Sequence, residues 1–306
     1  MPRRMGPMAA AEPSVGLTGL GFDAATGEGV LFELEMIGGA YERRFRRMRP
    51  ECAEMPWGTL DVSGIRESEL ISARKAWTGA AFQEYRTAIA CTATLRALLE
   101  CGAPVDLVAL ATRFPLDEMV HVELCARMAM ELGGGTEIRF DPSHLVLDAD
   151  PSQRPTVRAA ELVARFFCVG EALSIPLIRG TWHASEHPLP RAVLARIVRD
   201  EAAHGTFGFT FLDWATGGMS ERELAHVGRH ADLAIAAIKR QWEHLGGRGR
   251  SGFDAKGNAL GWMETGAYLD LARRSMTDKV VRPLRERSIP IMAWSAQDEA
   301  ASRSAT

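Results

Sequence analysis

The sequence predicts an all-α protein: a four-helix bundle with two additional C-terminal helices (residues 66–285), an N-terminal arm (1–65) and a C-terminal tail (286–306). Three observations predict it. From Glu67 onward the chain is rich in Ala, Leu, Val and Arg with few β-branched runs, which favours helix. Clusters of Gly and Pro cut this region into pieces of helical length. The pattern Asp-Glu-x-x-His occurs twice, at 117–121 and 200–204, each time on an apolar helical stripe.

Residues 1–65 are rich in Gly, Pro and Met, with at most one short helix within 31–49, and Met55-Pro56-Trp57-Gly58 reads as a turn. The arm is expected to lie across the main body. The first long helix spans 67–101 and stops at Gly102 and Pro104; the second runs from there to 132 and stops at Gly133, Gly134 and Gly135. These two form an antiparallel hairpin. A loop with Asp141, Pro142, Asp150 and Pro151 leads to a third helix at 157–182. After Pro188 and Pro190 a fourth runs to 215, completing a second hairpin. The fifth opens with Ser220 and Glu223 in capping-box spacing and ends before Gly246; the sixth covers 259–284.

With 46% hydrophobic residues the 306-residue chain can bury a large core, and a net charge of −3 gives no reason to expect nucleic acid. The basic run Arg43, Arg44, Arg46, Arg47 and Arg49 is interrupted by Phe45 and Met48 and reads as a solvated or salt-bridged face. Five cysteines without a CxxC pair indicate neither a disulfide framework nor a zinc knuckle, so a reducing cytoplasm is the expected setting. No leader or membrane span is expected, since the N-terminal stretch is broken by Gly6, Pro7 and Pro13.

Chemistry enters where charge interrupts the apolar stripes. Phe114, Glu118, His121, Cys125, Met128 and Leu132 have 4-3-4-3-4 spacing on the second helix, and Leu194, Ile197, Glu201, His204, Gly208, Phe211 and Ala215 form the matching stripe on the fourth. A Glu and a His three apart share one face, so each pair points into the bundle. The first and third helices each place one carboxylate on their own stripe: Glu84 within Trp77, Ala81, Ala88, Cys91, Leu95, and Glu171 within Ala164, Cys168, Ile175, Ile178. Glu84 precedes Glu118 by 34 residues and Glu171 precedes Glu201 by 30, which puts the two at matching heights in their hairpins.

Four unpaired carboxylates in one core would cancel much of a typical stability of about 5–15 kcal/mol, and the stripes bring no Lys or Arg to that level. Two divalent cations neutralise them. Carboxylate and imidazole donors without a thiolate suit iron or manganese more than zinc. The expected metal set is therefore Glu84, Glu118, His121, Glu171, Glu201 and His204.

At these residues the sequence resembles the ferritin-like di-iron carboxylate superfamily, in particular its oxidase and oxygenase branches, over roughly residues 67–216. The resemblance implies a ferritin-like bundle with those six residues as metal ligands and with Asp117 and Asp200 as acids behind them that orient the imidazoles. Where the family has DExRH, the Arg is replaced by Val120 and Ala203. Size and layout are also similar to arylamine N-oxygenases of natural-product pathways, whose additional His is Ile197 here. The activity implied by the resemblance is that of a non-haem di-iron oxidase or oxygenase that uses O₂ or peroxide on a small organic molecule. Two iron ions are expected, with manganese or a mixed Mn/Fe pair left open. A di-manganese catalase or peroxidase, or iron handling without an organic substrate, are the alternative readings. Electrons must come from an external donor, since no flavin or iron–sulfur motif is present, and a homodimer is left open. Glu118, with Glu171 or Glu201, is expected to bridge the metals. Where the related ribonucleotide reductase subunits carry a radical Tyr, one turn after the first ExxH histidine, this chain has Cys125. No stored tyrosyl radical is therefore expected, and Cys125, Ala88 and Gly208 are candidates for lining a substrate pocket.

Three further features are less specific. The GxGxxG run at 247–252 comes after a helix rather than a strand and reads as a loop. His226 and His230, with no acid on their own face, read as a surface pair, and His183 and His187 as surface or capping residues. Pro115 and Pro176 lie near ligand glutamates and mark either a helix start, a kink or a local widening of the helix.

Overall fold

In the computed structural model, which describes residues 29–247 and 260–303, the chain builds its centre from two long antiparallel hairpins. Helix α1 (Gly39–Arg47) belongs to the arm, α2 (Glu67–Glu100) is the first bundle helix, and α3 (Val105–Ala111) and α4 (Phe114–Glu131) return along it. The second expected helix is thus two. Pro115 sits in the first turn of α4, where its missing N–H costs nothing, so it starts a helix rather than kinking one. At the end of α2, Gly102 takes φ +64°, letting the N–H of Ala103 reach the Leu98 carbonyl at 3.0 Å and closing the helix.

The second hairpin begins with α5 (Pro155–Val163), continues through a π-helical stretch at 164–171 and ends as α6 (Ala172–Ala184); α7 (Pro188–Ala215) packs back against it. A widening therefore occurs near Pro176, but just before it rather than at it. His187 caps α7, its Nδ1 accepting the N–H of Leu189 at 3.1 Å. Helix α8 (Glu221–Gly247) opens with the expected capping box: Ser220 N–H donates to Glu223 at 2.8 Å, and Glu223 N–H to the Ser220 hydroxyl at 3.4 Å. The sixth expected helix starts later than the sequence suggests, at α9 (Thr265–Ser275) behind a Glu264 cap, passes through a second π-helical stretch at 276–281 and ends in α10 (Arg282–Glu286).

Arm and C-terminal segment both pack on this body. Strand β1 (Val30–Leu31) pairs antiparallel with β2 (Arg139–Phe140), Phe32 stacks on Phe82 and Tyr85, and Arg127 lies 3.8 Å over the Trp57 ring. The basic run is indeed salt-bridged: Arg46 pairs with Glu42 and Glu123, and buried Arg49 meets Glu123 at 2.5 Å. Residues 1–28 lie outside the described residues, as does most of the GxGxxG run. The expectation of a C-terminal tail is corrected. Ile289, Ile291 and Trp294 are buried, Trp294 donates to Thr277 at 3.0 Å, and α11 (Ala296–Arg303) is tied to α8 by Lys239–Asp298 at 2.9 Å. Three apolar anchors spaced through a polar segment were too few to show as a stripe. No described helix is long and apolar enough to cross a membrane.

Candidate metal centre

Helices α4 and α7 turn their Asp-Glu-x-x-His runs toward each other across the bundle axis, and Glu118, His121, Glu201 and His204 are buried there. Glu84 arrives from α2 and Glu171 from the last residue of the π-helical stretch. All six expected ligands come together. They form two overlapping groups, Glu84–Glu118–His121–Glu201 and Glu118–Glu171–Glu201–His204, in each of which the donor atoms lie within 4.8 Å of one another.

Each of the two shared carboxylates divides its oxygens between the histidines. Glu118 presents Oε1 to His204 Nδ1 at 3.1 Å and Oε2 to His121 Nδ1 at 3.5 Å; Glu201 presents Oε2 to His204 Nδ1 at 3.1 Å and Oε1 to His121 Nδ1 at 3.3 Å. Glu118 and Glu201 thus have the placement of bridging ligands, while Glu84 and Glu171 stand at the two outer ends. The sequence left Glu171 and Glu201 open as the second bridge; the geometry favours Glu201. Ser174 donates to Glu171 Oε2 at 3.3 Å and steadies it.

Behind the imidazoles the acids cross over. His121 Nε2 lies 3.3 Å from Asp200, and His204 Nε2 lies 3.6 Å from Asp117, so the acid of each motif faces the histidine of the other. The Asp200 contact at His121 Nε2 turns that ring's Nδ1 toward the carboxylate cluster, the orientation a metal ligand requires, while Asp117 stands just beyond hydrogen-bond distance of His204 Nε2. Two arginines join the site that the stripes did not reveal. Arg113 reaches Asp117 at 2.8 Å and Asp200 at 3.4 Å, and Arg196 reaches Asp200 at 3.0 Å. Each precedes its Asp by four residues, a spacing that the sequence does display.

Without cations, burial and crowded like charges favour protons on the outer carboxylates, and the carboxylates favour protons on the imidazoles. Burial pushes the Glu84 carboxyl up to about 8, helped by the charge of Glu118, and burial with Glu201 and Glu118 raises Glu171 well above the carboxylate range. For Glu118 and Glu201 burial acts the same way, but the two histidines outweigh it and hold both low. Burial also opposes charge on His121 and His204, and the surrounding carboxylates overcome it and raise both. Both Glu118 oxygens, Glu201 Oε2 and both Nδ1 atoms are nevertheless buried without a hydrogen bond. Such orphaned atoms are costly, and two divalent cations fit them.

Of the three residues expected to line a pocket, Cys125 and Ala88 are buried, but the expectation for Gly208 is corrected. A Cβ on Gly208 would lie 2.8 Å from Phe167 Cβ and Cys168 Sγ and 3.1 Å from the Cys168 backbone nitrogen; its role is to let α7 approach the π-helical stretch. Cys91 is the thiol that feels all four carboxylates, its ionisation pushed up by burial and then by those charges. Its place on the Glu84 stripe, two turns on, was the available signal. The surface reading of His226 and His230 is also corrected: Glu161 from α5 meets both, at 2.9 and 3.3 Å.

No protein-family model matches the chain, and no curated protein does. Solved structures do. An R2-like ligand-binding oxidase with an aerobically reconstituted Mn/Fe cofactor superposes with a TM-score of 0.52 at 16% identity, over 85% of this chain and 99% of that one. A tyrosine-to-phenylalanine mutant of an R2-like ligand-binding oxidase, also with a Mn/Fe cofactor, gives 0.53 at 16% identity, over 85% and 100%. The fold is ferritin-like. In this ferritin-like frame the extra helices α8 to α11 pack outside the second hairpin, and the carboxylate–histidine cluster occupies the centre of the bundle.

Proposed function

We propose that the protein is a two-metal oxidase or oxygenase that uses dioxygen to oxidise a small organic molecule, with electrons from an external donor. The observation that carries this reading is the division of Glu118 and Glu201 between the two histidines, a four-carboxylate, two-imidazole set suited to a bridged pair of redox metals. Two iron ions are the proposed occupants, and the Mn/Fe cofactor of the similarly folded oxidases makes a mixed pair the next choice.

When bound, the metal pair supplies dioxygen activation and the transfer of oxidising equivalents to substrate. This chain's residues supply the rest. Glu84 with His121, and Glu171 with His204, would hold one ion each, and Glu118 and Glu201, placed between the histidines, would serve both. Asp200 orients the His121 imidazole from behind, and Asp117 faces that of His204 across 3.6 Å. Phe114, 4.2 Å from the His204 ring, stacks with Phe167 and Phe207 and keeps water from that side. N-oxygenation or hydroxylation of a natural-product precursor is the finer form of this reading.

The test is metal analysis of anaerobically prepared protein, then absorbance and electron paramagnetic resonance after oxygen exposure. About two redox metals per chain, a new charge-transfer band and no near-stoichiometric tyrosyl signal are expected. Tyr41 is exposed, Tyr268 lies on α9, and Tyr85 stacks on Phe32. Redox-silent metal alone, or protein inert to oxygen, overturns the reading.

A further inference from the structure

A second cluster of metal-ligating side chains lies outside the bundle centre. Glu161 precedes Glu171 by ten residues, about 15 Å along the helix axis at the usual rise per residue, so it takes no part in the site above. Its carboxylate is 1% exposed. Helix α8, packed against α5, presents His226 and His230 to it; one turn apart, they share a face. His226 Nε2 is 2.9 Å from Glu161 Oε2, and His230 Nδ1 is 3.3 Å from Oε1. One donor atom from each of the three lies within 4.8 Å of the others.

The surroundings distinguish this cluster from an ordinary buried ion pair. Glu161 and His230 form part of the wall of a cavity of about 460 Å³, together with Arg165, Phe166, Leu147 and Asp150. The Asp150 backbone N–H donates to Glu161 Oε2 at 3.2 Å, fixing the loop over the carboxylate. Arg165 reaches Glu161 only at 3.5 Å, at the outer limit of a hydrogen bond, so it does not by itself account for two histidines converging on one carboxylate.

We propose that Glu161, His226 and His230 form a third metal site, which binds one zinc-like divalent cation with an open coordination position facing the cavity. Two imidazoles and one carboxylate are a zinc-type donor set, too rich in nitrogen for magnesium or calcium. Three protein ligands leave a position for water or an anion from the cavity, and Arg165 on the same wall favours the anion. Coordination through His226 Nε2 puts that ring's proton on Nδ1. The 3.5 Å contact between Nδ1 and Arg229 must then open, so Arg229 works against the metal.

The test uses full-length protein already loaded with iron and titrated with Zn²⁺, with zinc and iron both counted after gel filtration. One zinc per chain is expected without loss of iron. His230→Ala and Glu161→Gln each weaken zinc binding by at least about 100-fold, beyond the usual loss for a residue behind a ligand, and leave iron unchanged. Arg229→Ala tightens it. Glu161→Gln keeps an acceptor for Asp150, and His230 is partly exposed, so neither change threatens the fold. Zinc that enters only by displacing iron, no zinc beyond a nonspecific background, or undiminished binding in both ligand variants overturns the proposal. Because iron is counted separately, failure of this site is distinguishable from failure of the central one.

Discussion

Glu118 and Glu84 are both carboxylates on buried stripes, yet removing them has unequal consequences. Glu118 faces both histidines, whereas Glu84 belongs to one donor group only. Glu118→Ala is therefore expected to abolish binding of the metal pair, and Glu84→Ala to leave about one ion per chain, read by elemental analysis of anaerobically loaded protein. Two retained ions in Glu118→Ala would refute its bridging placement. One step outward, Asp117→Asn and Asp200→Asn should keep the fold and weaken metal affinity by about 10- to 100-fold, the usual effect of losing the partner that orients an imidazole. Since the acids cross over, Asp200→Asn should weaken the metal beside His121 first, and Asp117→Asn the one beside His204. Affinities identical to wild type in both would reduce these acids to partners of Arg113 and Arg196.

The π-helical stretch at 164–171 is the element on which the second half of the centre depends, because Glu171 is its last residue. Such a turn bonds i to i+5 and rotates the helix face beyond it; it occurs most often at functional sites. Pro176 comes soon after and has no N–H to return to Ala172, which leaves this part of the helix without one ordinary bond. The neighbouring α7 accommodates the wider turn by carrying Gly208 at the contact. Gly208→Ala is expected to cost about 1–3 kcal/mol in thermal or denaturant unfolding, since the new methyl meets backbone as well as side chain. It should also reduce occupancy of the metal beside Glu171 more than that beside Glu84. A variant as stable as wild type would show that α7 can move away freely.

At the scale of the whole molecule, the proposed metal pair would displace protons from the bundle centre. In the cation-free protein burial and the neighbouring carboxylates favour the protonated forms of Glu84 and Glu171, and the surrounding carboxylates favour the charged forms of His121 and His204. Binding two divalent ions should release protons, measurable by calorimetry in buffers of different ionisation enthalpy. This fixes the sign of the pH dependence. Glu84 must lose a proton held to about pH 8, so metal affinity rises with pH through that range. Uptake without proton release would mean that the cluster is already deprotonated and that this balance of charges is wrong. Bound metal also stabilises only the folded chain, so chelation should lower the melting temperature.

Helical periodicity is a local property, and so the sequence by itself determined the bundle helices, the capping of α8 and the six inward-facing donors at 84, 118, 121, 171, 201 and 204. Residues three and four apart share a face wherever the helix goes. The split between α3 and α4 was marked only by Pro115, whose reading stayed open between a start, a kink and a widening, and the π-helical turns were hidden, because a few degrees of backbone rotation leave hardly any trace in residue type. Only tertiary structure decided which carboxylates are shared, that each Asp faces the other motif's histidine, and that Glu161 meets His226, 65 residues away, and His230 beside it. It also decided that Ile289, Ile291 and Trp294 anchor the C-terminus. These are contacts between helices remote in sequence, set by the angle and register at which whole faces pack, and no single stripe carries that information.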